Sequence, residues 1–427
     1  MKPFQDIKPI PNIYSFKQNS VILRFQNAVE RQYTFTSILE QKTDQKTLYD
    51  TCIREVLRNP FHSAGAVFAS YGVSNSGKTY TILGDKSTNL GIVPRALVQI
   101  FSEFKSQIAP FPCVKVVHDA ISILNDCQVE MEITASMDYL EEARSFVKGK
   151  HPQESWVGSI LEEHSFVPKT TTQLQQIFVW ISFLEIYNEK IIDLFQPQKT
   201  SQENFSVKRA LRIISNNRNS YVHGLTWLHV GSLEKALELL QAGVRRVNYA
   251  ATGMNKHSSR SHTVFTINII AENDLNYEFS SYKFCDLAGA ERISKTGNIG
   301  ERVKEAGGIN SSLMVLGKCL EAVQHNQKPG INKKDIVPVR ESKLTFLLQS
   351  SLMGREKFVM ICNLLPTNEC FEENINVLHF GSIANKIITR KAEVKKYSRI
   401  SSRYTYFMKN VANSPKLNLS LAFDDSE

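Results

Sequence analysis

Gly72-Val73-Ser74-Asn75-Ser76-Gly77-Lys78-Thr79 decides the fold, because it fits G-x-x-x-x-G-K-[ST] and follows the apolar run Gly65-Ala66-Val67-Phe68-Ala69-Ser70-Tyr71. The run reads as a buried strand, and Tyr80 to Leu83 as the opening of a helix. Glycines let backbone N–H groups close around phosphate oxygens, and the helix N-terminus adds the positive end of a dipole. In such a loop Lys78 bridges the β- and γ-phosphates and the Thr79 hydroxyl ligates Mg²⁺. The pattern implies a bound nucleoside triphosphate and leaves open what its energy does.

Outward from the loop, apolar runs alternate with helical spacing. Phe178 to Leu184, Val264 to Ile270 and Tyr282 to Cys285 are rich in β-branched and aromatic residues and read as strands. Pro94 to Phe104, Ser232 to Ala242 (capped by Ser232) and Leu313 to Val323 read as helices. Interleaved strands and helices predict an α/β domain, with a central mixed, mainly parallel sheet flanked by helices on both faces. Residues from about 106 to 172 lack this alternation, carry acidic pairs such as Glu141-Glu142, and read as a long insertion. The expected organisation is one domain over 1–388 and a flexible neck or tail segment over 389–427, without the heptads of a coiled coil.

The 427 residues are 42% apolar and 22% charged, which is ordinary globular composition. No stretch approaches the roughly 18 consecutive apolar residues of a membrane span, and the N-terminus lacks the apolar core of a secretory signal. Seven cysteines are scattered singly with no C-x-x-C pair, which excludes a disulfide frame or a cysteine zinc site as the organising feature. The net charge of +9 favours an acidic partner without choosing among nucleic acid, membrane and protein.

Two later segments narrow the choice. Asn255-Lys256-His257-Ser258-Ser259-Arg260-Ser261-His262 is a polar loop just before a strand, and Asp286-Leu287-Ala288-Gly289-Ala290-Glu291 follows the strand that ends at Cys285. A carboxylate at a strand end, as at Asp286, is where phosphate-loop enzymes make a further Mg²⁺ contact, here through water. Gly289 can offer a bare N–H to the γ-phosphate, and losing that bond when the phosphate leaves would relax the loop.

These three segments resemble the nucleotide-site motifs of the kinesin motor domain. Further matches are Leu184-Glu185-Ile186-Tyr187-Asn188-Glu189, Lys295-Thr296-Gly297, Lys304-Glu305-Ala306 with Ile309-Asn310, and Glu341-Ser342-Lys343-Leu344-Thr345. All run in family order and span about 2 to 388. The resemblance implies an ATP- and Mg²⁺-dependent ATPase that moves along microtubules, needing neither nucleic acid nor membrane. Position by position, it implies that Gly72, Val73, Ser74, Asn75, Ser76, Gly77, Lys78, Thr79 and Tyr80 cradle the nucleotide. It implies that Ser259 joins Thr79 and Asp286 at the metal, that Asn255 and Ser258 hold the γ-phosphate side, and that Arg260 pairs with Glu291 to close the site beside Gly289. His257 and His262 read as loop packing rather than as acid/base groups.

Lys328, Lys333, Lys334, Arg340, Lys343 and Arg355 cluster between two predicted helices, where the resemblance places the tubulin grip. A basic patch against an acidic filament speeds encounter and weakens with salt. The long insertion, the wording Trp180 to Glu185, Gly317-Lys318-Cys319-Leu320 and the extended loop ahead of Val337-Pro338 resemble the kinesin-6 subfamily. That implies the cytoskeleton, the central spindle and cytokinesis.

Three departures stand out. Lys2-Pro3-Phe4 looks like the last part of the family's R-x-R-P adenine motif, so a shortened first strand is expected, with Pro3 and Tyr80 as adenine contacts. Asn75 and Ala290 are mild departures from commoner residues. No stalk is read within these residues, so dimerisation is expected only if such a segment exists outside them. The competing class is a microtubule-binding scaffold with weak or lost turnover. A phosphate-loop GTPase is set aside on the expectation that no N-K-x-D guanine-reading motif is present.

Overall fold

A computed structural model describes residues 14–17, 19–24, 30–58, 60, 64–85, 89–117, 120–145, 160, 164, 166–168, 176–196, 211–216, 219–253, 260–274, 276–291, 301–331, 333–389 and 395–398. A small antiparallel sheet comes first: β1 (Tyr14–Lys17), β2 (Ser20–Arg24) and β3 (Glu30–Thr34). Two short helices follow, α1 (Gln45–Cys52) and α2 (Arg54–Arg58). Then come β4 (Gly65–Gly72), α3 (Lys78–Leu83) and α4 (Ile92–Glu103). The insertion supplies β5 (Val114–Val117), β6 (Ala120–Ile123) and α5 (Asp126–Ser145). After it run β7 (Gln176–Tyr187), β8 (Lys190–Asp193), β9 (Arg212–Asn216), β10 (Asn219–His223), β11 (Leu228–His229) and α6 (Leu233–Gly253). The remainder is β12 (His262–Glu272), β13 (Asn276–Asp286), α7 (Glu301–Asn326), α8 (Lys343–Leu347), α9 (Gln349–Leu352), β14 (Lys357–Asn363), α10 (Phe371–Asn385) and β15 (Lys395–Ser398).

The central sheet has the order β11-β7-β12-β13-β4-β14, with β8 added on β7 and β15 on β13. Every residue of β4 is buried, as expected of a strand with parallel neighbours and covered faces. At its start Gly65 has φ +127°, and a Cβ there would overlap the Ser281 carbonyl of β13, so glycine sets how closely the two strands begin.

The sheet is mixed, but the expected mainly parallel balance does not hold. Among the described strands of this sheet, β13–β4 and β4–β14 are parallel, whereas β11–β7, β7–β12 and β12–β13 are antiparallel. Chain length between strands is the reason. Residues 273–275 are too few for a crossover helix, so β13 must fold straight back on β12. Asn273 Oδ1 accepts from the Asn276 N–H at 2.7 Å and fixes that turn.

Alternation along the strands divides the core. Val179, Ile181, Phe183, Phe265, Ile267, Phe284 and Phe68 face α1, α4, α5 and α6. Leu184, Val264, Cys285, Val67 and Ala69 face α7, α8, α9 and α10. The small sheet packs Val21, Leu23 and Tyr33 against Leu378 of α10.

Two expectations about irregular segments change. The insertion contains a hairpin and a 20-residue helix. That helix starts in a reciprocal cap, with Asn125 Oδ1 accepting from the Gln128 N–H at 2.9 Å and Gln128 Oε1 accepting from the Asn125 N–H at 3.0 Å. Beyond residue 388, Lys395–Ser398 joins the sheet, and the rest of the segment expected to be flexible, 390–394 and 399–427, lies outside the described residues. Lys395–Ser398 pairs with Asn276–Phe279, the part of β13 that lies before β4 begins at Ser281 and so offers unpaired backbone groups. Lys396 also meets Glu278 at 3.2 Å, and Lys395 lies over the Phe279 ring.

His164 of the insertion and His229 of β11 are buried. Burial pushes their pKa values down, to about 4 and about 3, from an ordinary 6.5. Below about 6.5 the unfolded chain takes up protons that the folded chain resists. The stability these rings contribute is therefore complete above that pH and is lost as the pH falls toward the folded values, by about 1.4 kcal/mol per pH unit for each ring. Thermal unfolding should show a midpoint that drops between about pH 6.5 and about pH 4.5, with a shallower slope in His229→Gln.

Candidate nucleotide site and filament-facing surface

The phosphate loop is built by local turns. The Ser76 N–H donates to the Val73 carbonyl at 3.2 Å, and the Ser76 hydroxyl reaches the same oxygen at 2.8 Å. Asn75 (φ 64°) and Gly77 (φ 98°) take left-handed backbone, which asparagine tolerates and glycine adopts freely. This accounts for the asparagine at 75. A Cβ on Gly72 would overlap the Asn363 carbonyl at the end of β14. The Asn363 side chain accepts from Ser70 Oγ at 2.8 Å and donates to Thr81 Oγ1 at 2.9 Å, tying β4, β14 and α3 together under the loop. Sequence reading missed Asn363, whose only local signal is a polar residue closing an apolar strand.

Lys78 is buried, and its Nζ donates to the Val73 carbonyl at 2.8 Å. Burial lowers its pKa, opposed by the charges of Asp286 and Glu291. Thr79 Oγ1 donates to Asp286 Oδ2 at 2.6 Å. Asp286 Oδ1 is buried without a hydrogen-bond partner among the described residues. Burial pushes the Asp286 carboxyl up to about 6, with Thr79 and Lys78 pulling the other way. A hydroxyl beside a desolvated, half-satisfied carboxylate suits a hydrated Mg²⁺, a hard cation that prefers oxygen ligands.

The loop after β13 is laced to the phosphate loop. Leu287 N–H donates to the Ser70 carbonyl at 3.2 Å and Ala290 N–H to the Gly72 carbonyl at 3.0 Å. Glu291 takes two hydrogen bonds from Ser74, one from its N–H at 2.9 Å and one from its hydroxyl. A Cβ on Gly289 would overlap the Glu291 carboxylate and come within 2.5 Å of Ser74 Oγ. Ser74, Gly289 and Glu291 thus enclose one small polar space. The Ser74–Glu291 contact was not anticipated from sequence.

Tyr80 is half-buried, and its carbonyl accepts from Gln45 Nε2 at 2.7 Å. Arg260 is half-buried at the edge of the site's second loop. Pro3, Asn255, Ser258 and Ser259 lie outside the described residues, as does His257. His262 is buried, and burial holds its pKa near 3, which agrees with its reading as something other than an acid or base.

With the phosphate loop, the aspartate-bearing loop and the mixed sheet in this arrangement, the decisive comparison is with protein families. The sequence pattern of the kinesin motor domain matches residues 6–387. The chain belongs to the kinesin motor-domain family. This kinesin is 40% identical over 384 residues to the kinesin-like protein subito of Drosophila melanogaster, covering 90% of the chain and 59% of that protein. It is 33% identical over 396 residues to the kinesin-like protein KIF20A of Mus musculus, covering 84% of the chain and 44% of that protein. Both relatives are kinesin-6 proteins, and the chain spans roughly half of their length. Its fold matches a solved fast kinesin with a TM-score of 0.65 and 25% identity, over 98% of this chain and 93% of that one.

The 333–335 loop lies at the end of α7 away from the nucleotide loops. Lys328, Lys333, Lys334, Arg340 and Arg355 are exposed, and Lys343 is half-buried. Asn326, the last residue of α7, holds the 333–335 loop: its Nδ2 donates to the Asp335 carbonyl at 2.9 Å and its Oδ1 accepts from the Asp335 N–H at 2.7 Å. Arg340 lies over the Phe346 ring. The turn between β7 and β8 uses positive φ at Asn188 and Glu189. From it the Glu189 carboxylate accepts from Ser342 Oγ at 3.0 Å and from the Lys343 N–H at 2.6 Å, fixing the start of α8. Arg355 follows Gly354, whose neighbours are Gln327, next to Asn326 at the end of α7, and Ile388.

One expectation requires correction. Asn332-Lys333-Lys334-Asp335 does spell N-K-x-D. Its described residues sit at the far end of α7, roughly 20 Å along the helix from Ser312 beside the nucleotide loops. They cannot read a base held at Tyr80, so the GTPase reading fails on position rather than on letters.

Proposed function

We propose that this kinesin is an ATP-driven microtubule motor domain acting in mitosis and cytokinesis. The observation that carries the reading is the double junction of Thr79 with Asp286 and Ser74 with Glu291. It brings the phosphate loop against the loop that leads on to α7. Thr79, Ser259 and, through water, Asp286 would hold Mg²⁺, which when bound neutralises charge on the phosphates. Lys78 and the loop N–H groups orient the β- and γ-phosphates. Asn255 and Ser258 line the γ-phosphate side, and the Gly289 N–H senses that phosphate. In the closed site Glu291 pairs with Arg260, and the pair positions the attacking water in a drier environment. Pro3 and Tyr80 are the adenine contacts.

The exposed Lys328, Lys333, Lys334, Arg340 and Arg355, with Lys343, form the track-binding face. The solved KIF14 dimer, 26% identical with a TM-score of 0.63, is described in complex with a microtubule, which supports this assignment. Lys333→Glu with Lys334→Glu should weaken microtubule binding about tenfold at low salt, and the difference should shrink as salt rises. Co-sedimentation over a salt series measures it.

Steady-state ATPase with and without microtubules tests the function. Strong stimulation supports the motor. Tight binding with negligible turnover would instead identify a microtubule-binding scaffold.

A further inference from the structure

One buried imidazole lies between the nucleotide loops and α7, with both of its nitrogens engaged. His262 opens β12 and is 3% exposed. The Ala288 N–H donates to its Nδ1 at 3.0 Å, and its Nε2 lies 2.8 Å from Ser312 Oγ. Ala288 precedes the phosphate-sensing Gly289, and Ser312, 2% exposed, belongs to α7. A backbone N–H can only donate, so Nδ1 is the bare nitrogen and Nε2 carries the proton that Ser312 Oγ accepts. A second proton on Nδ1 would point at the Ala288 N–H. One tautomer in one orientation therefore joins the end of the first phosphate-sensing loop, the middle of the second and the helix.

We propose that His262 is a positioning residue that couples both phosphate-sensing loops to α7, with Ser312 as its contact on the helix. The inference rests on the motor reading above. Leu313, Leu316 and Leu320 pack α7 onto the sheet beside Val264 and Leu287. A shift of Gly289 carries the Ala288 N–H with it. A buried donor or acceptor is costly to leave unpaired, so the ring and Ser312 either follow or let go together. Such an all-or-none contact gives the helix two discrete seats rather than a continuum. The far end of α7 holds the 333–335 loop through Asn326, so a change of seat at Ser312 reaches the basic face. Plain packing of a buried ring would make none of this necessary.

Ser312→Ala removes the contact on the helix and leaves the Ala288 bond in place. Basal ATPase of this variant should stay within about twofold of the parent chain. Its microtubule stimulation factor should fall by about tenfold, and so should the ratio of microtubule affinities with a non-hydrolysable ATP analogue and with ADP. His262→Asn keeps an acceptor near Ala288 but cannot reach Ser312, and it should behave alike. Combining the two should add little, as expected of partners in one bond. Thermal unfolding checks that each variant folds. The inference is overturned if Ser312→Ala keeps its stimulation factor, if basal and stimulated rates fall in parallel, or if the two substitutions add. Should the parent chain itself show no stimulation, the motor reading has failed and takes this inference with it. A stimulated parent with an unaffected Ser312→Ala removes the coupling role alone.

Discussion

Alanine at Gly289 leaves a folded chain that has lost ATP turnover by about a hundredfold or more, the scale of removing one preorganised donor. The methyl group would occupy space now bounded by the Glu291 carboxylate and Ser74 Oγ. Both contacts would have to open before any phosphate could approach the Gly289 N–H. If this N–H reads only the terminal phosphate, as proposed, affinity for ADP should change little while affinity for a non-hydrolysable ATP analogue drops. Single-turnover hydrolysis with nucleotide titrations separates the two effects. Turnover within tenfold of the parent would remove Gly289 from the sensing role.

Lys78→Ala should be more general in its damage. Lys78 is the buried cation of the phosphate loop, held by the Val73 carbonyl and attracted by Asp286 and Glu291. Its loss strips positive charge from the β- as well as the γ-phosphate position. Both di- and triphosphate affinity should fall, and turnover should drop by about a thousandfold or more. The contrast between the variants is the informative result, since one impairs a sensor and the other the cradle itself. Unchanged turnover in Lys78→Ala would remove the assigned nucleotide site.

The sequence made the cradle legible because its geometry is local. Glycine spacing, a buried strand before it and a helix after it are all read within a score of residues, and Asn75 and Gly77 adopt the left-handed backbone that this spacing needs. The polar network around the cradle was not legible, because its partners are distant in the chain. Ser74 meets Glu291 across 217 positions, Ser70 meets Asn363 across 293, and His262 meets Ser312 across 50. No periodicity marks such pairs. The reading of His262 as loop packing was silent about its two hydrogen bonds. Strand direction failed for another reason: alternation of strands with helices suggested crossovers, while the short 273–275 connection that forbids one was overlooked. The α5 helix did carry a signal in the Asn125–Gln128 cap, which the surrounding acidic residues obscured.

If terminal-phosphate sensing at Gly289 governs the basic face through α7, microtubule affinity must depend on the nucleotide. The direct measurement is the dissociation constant of the purified chain for microtubules, with a non-hydrolysable ATP analogue and then with ADP. Constants differing by about tenfold or more, tighter with the triphosphate analogue, are the expected result. Equal constants in the two states, with both nucleotides shown to be bound, would contradict the account.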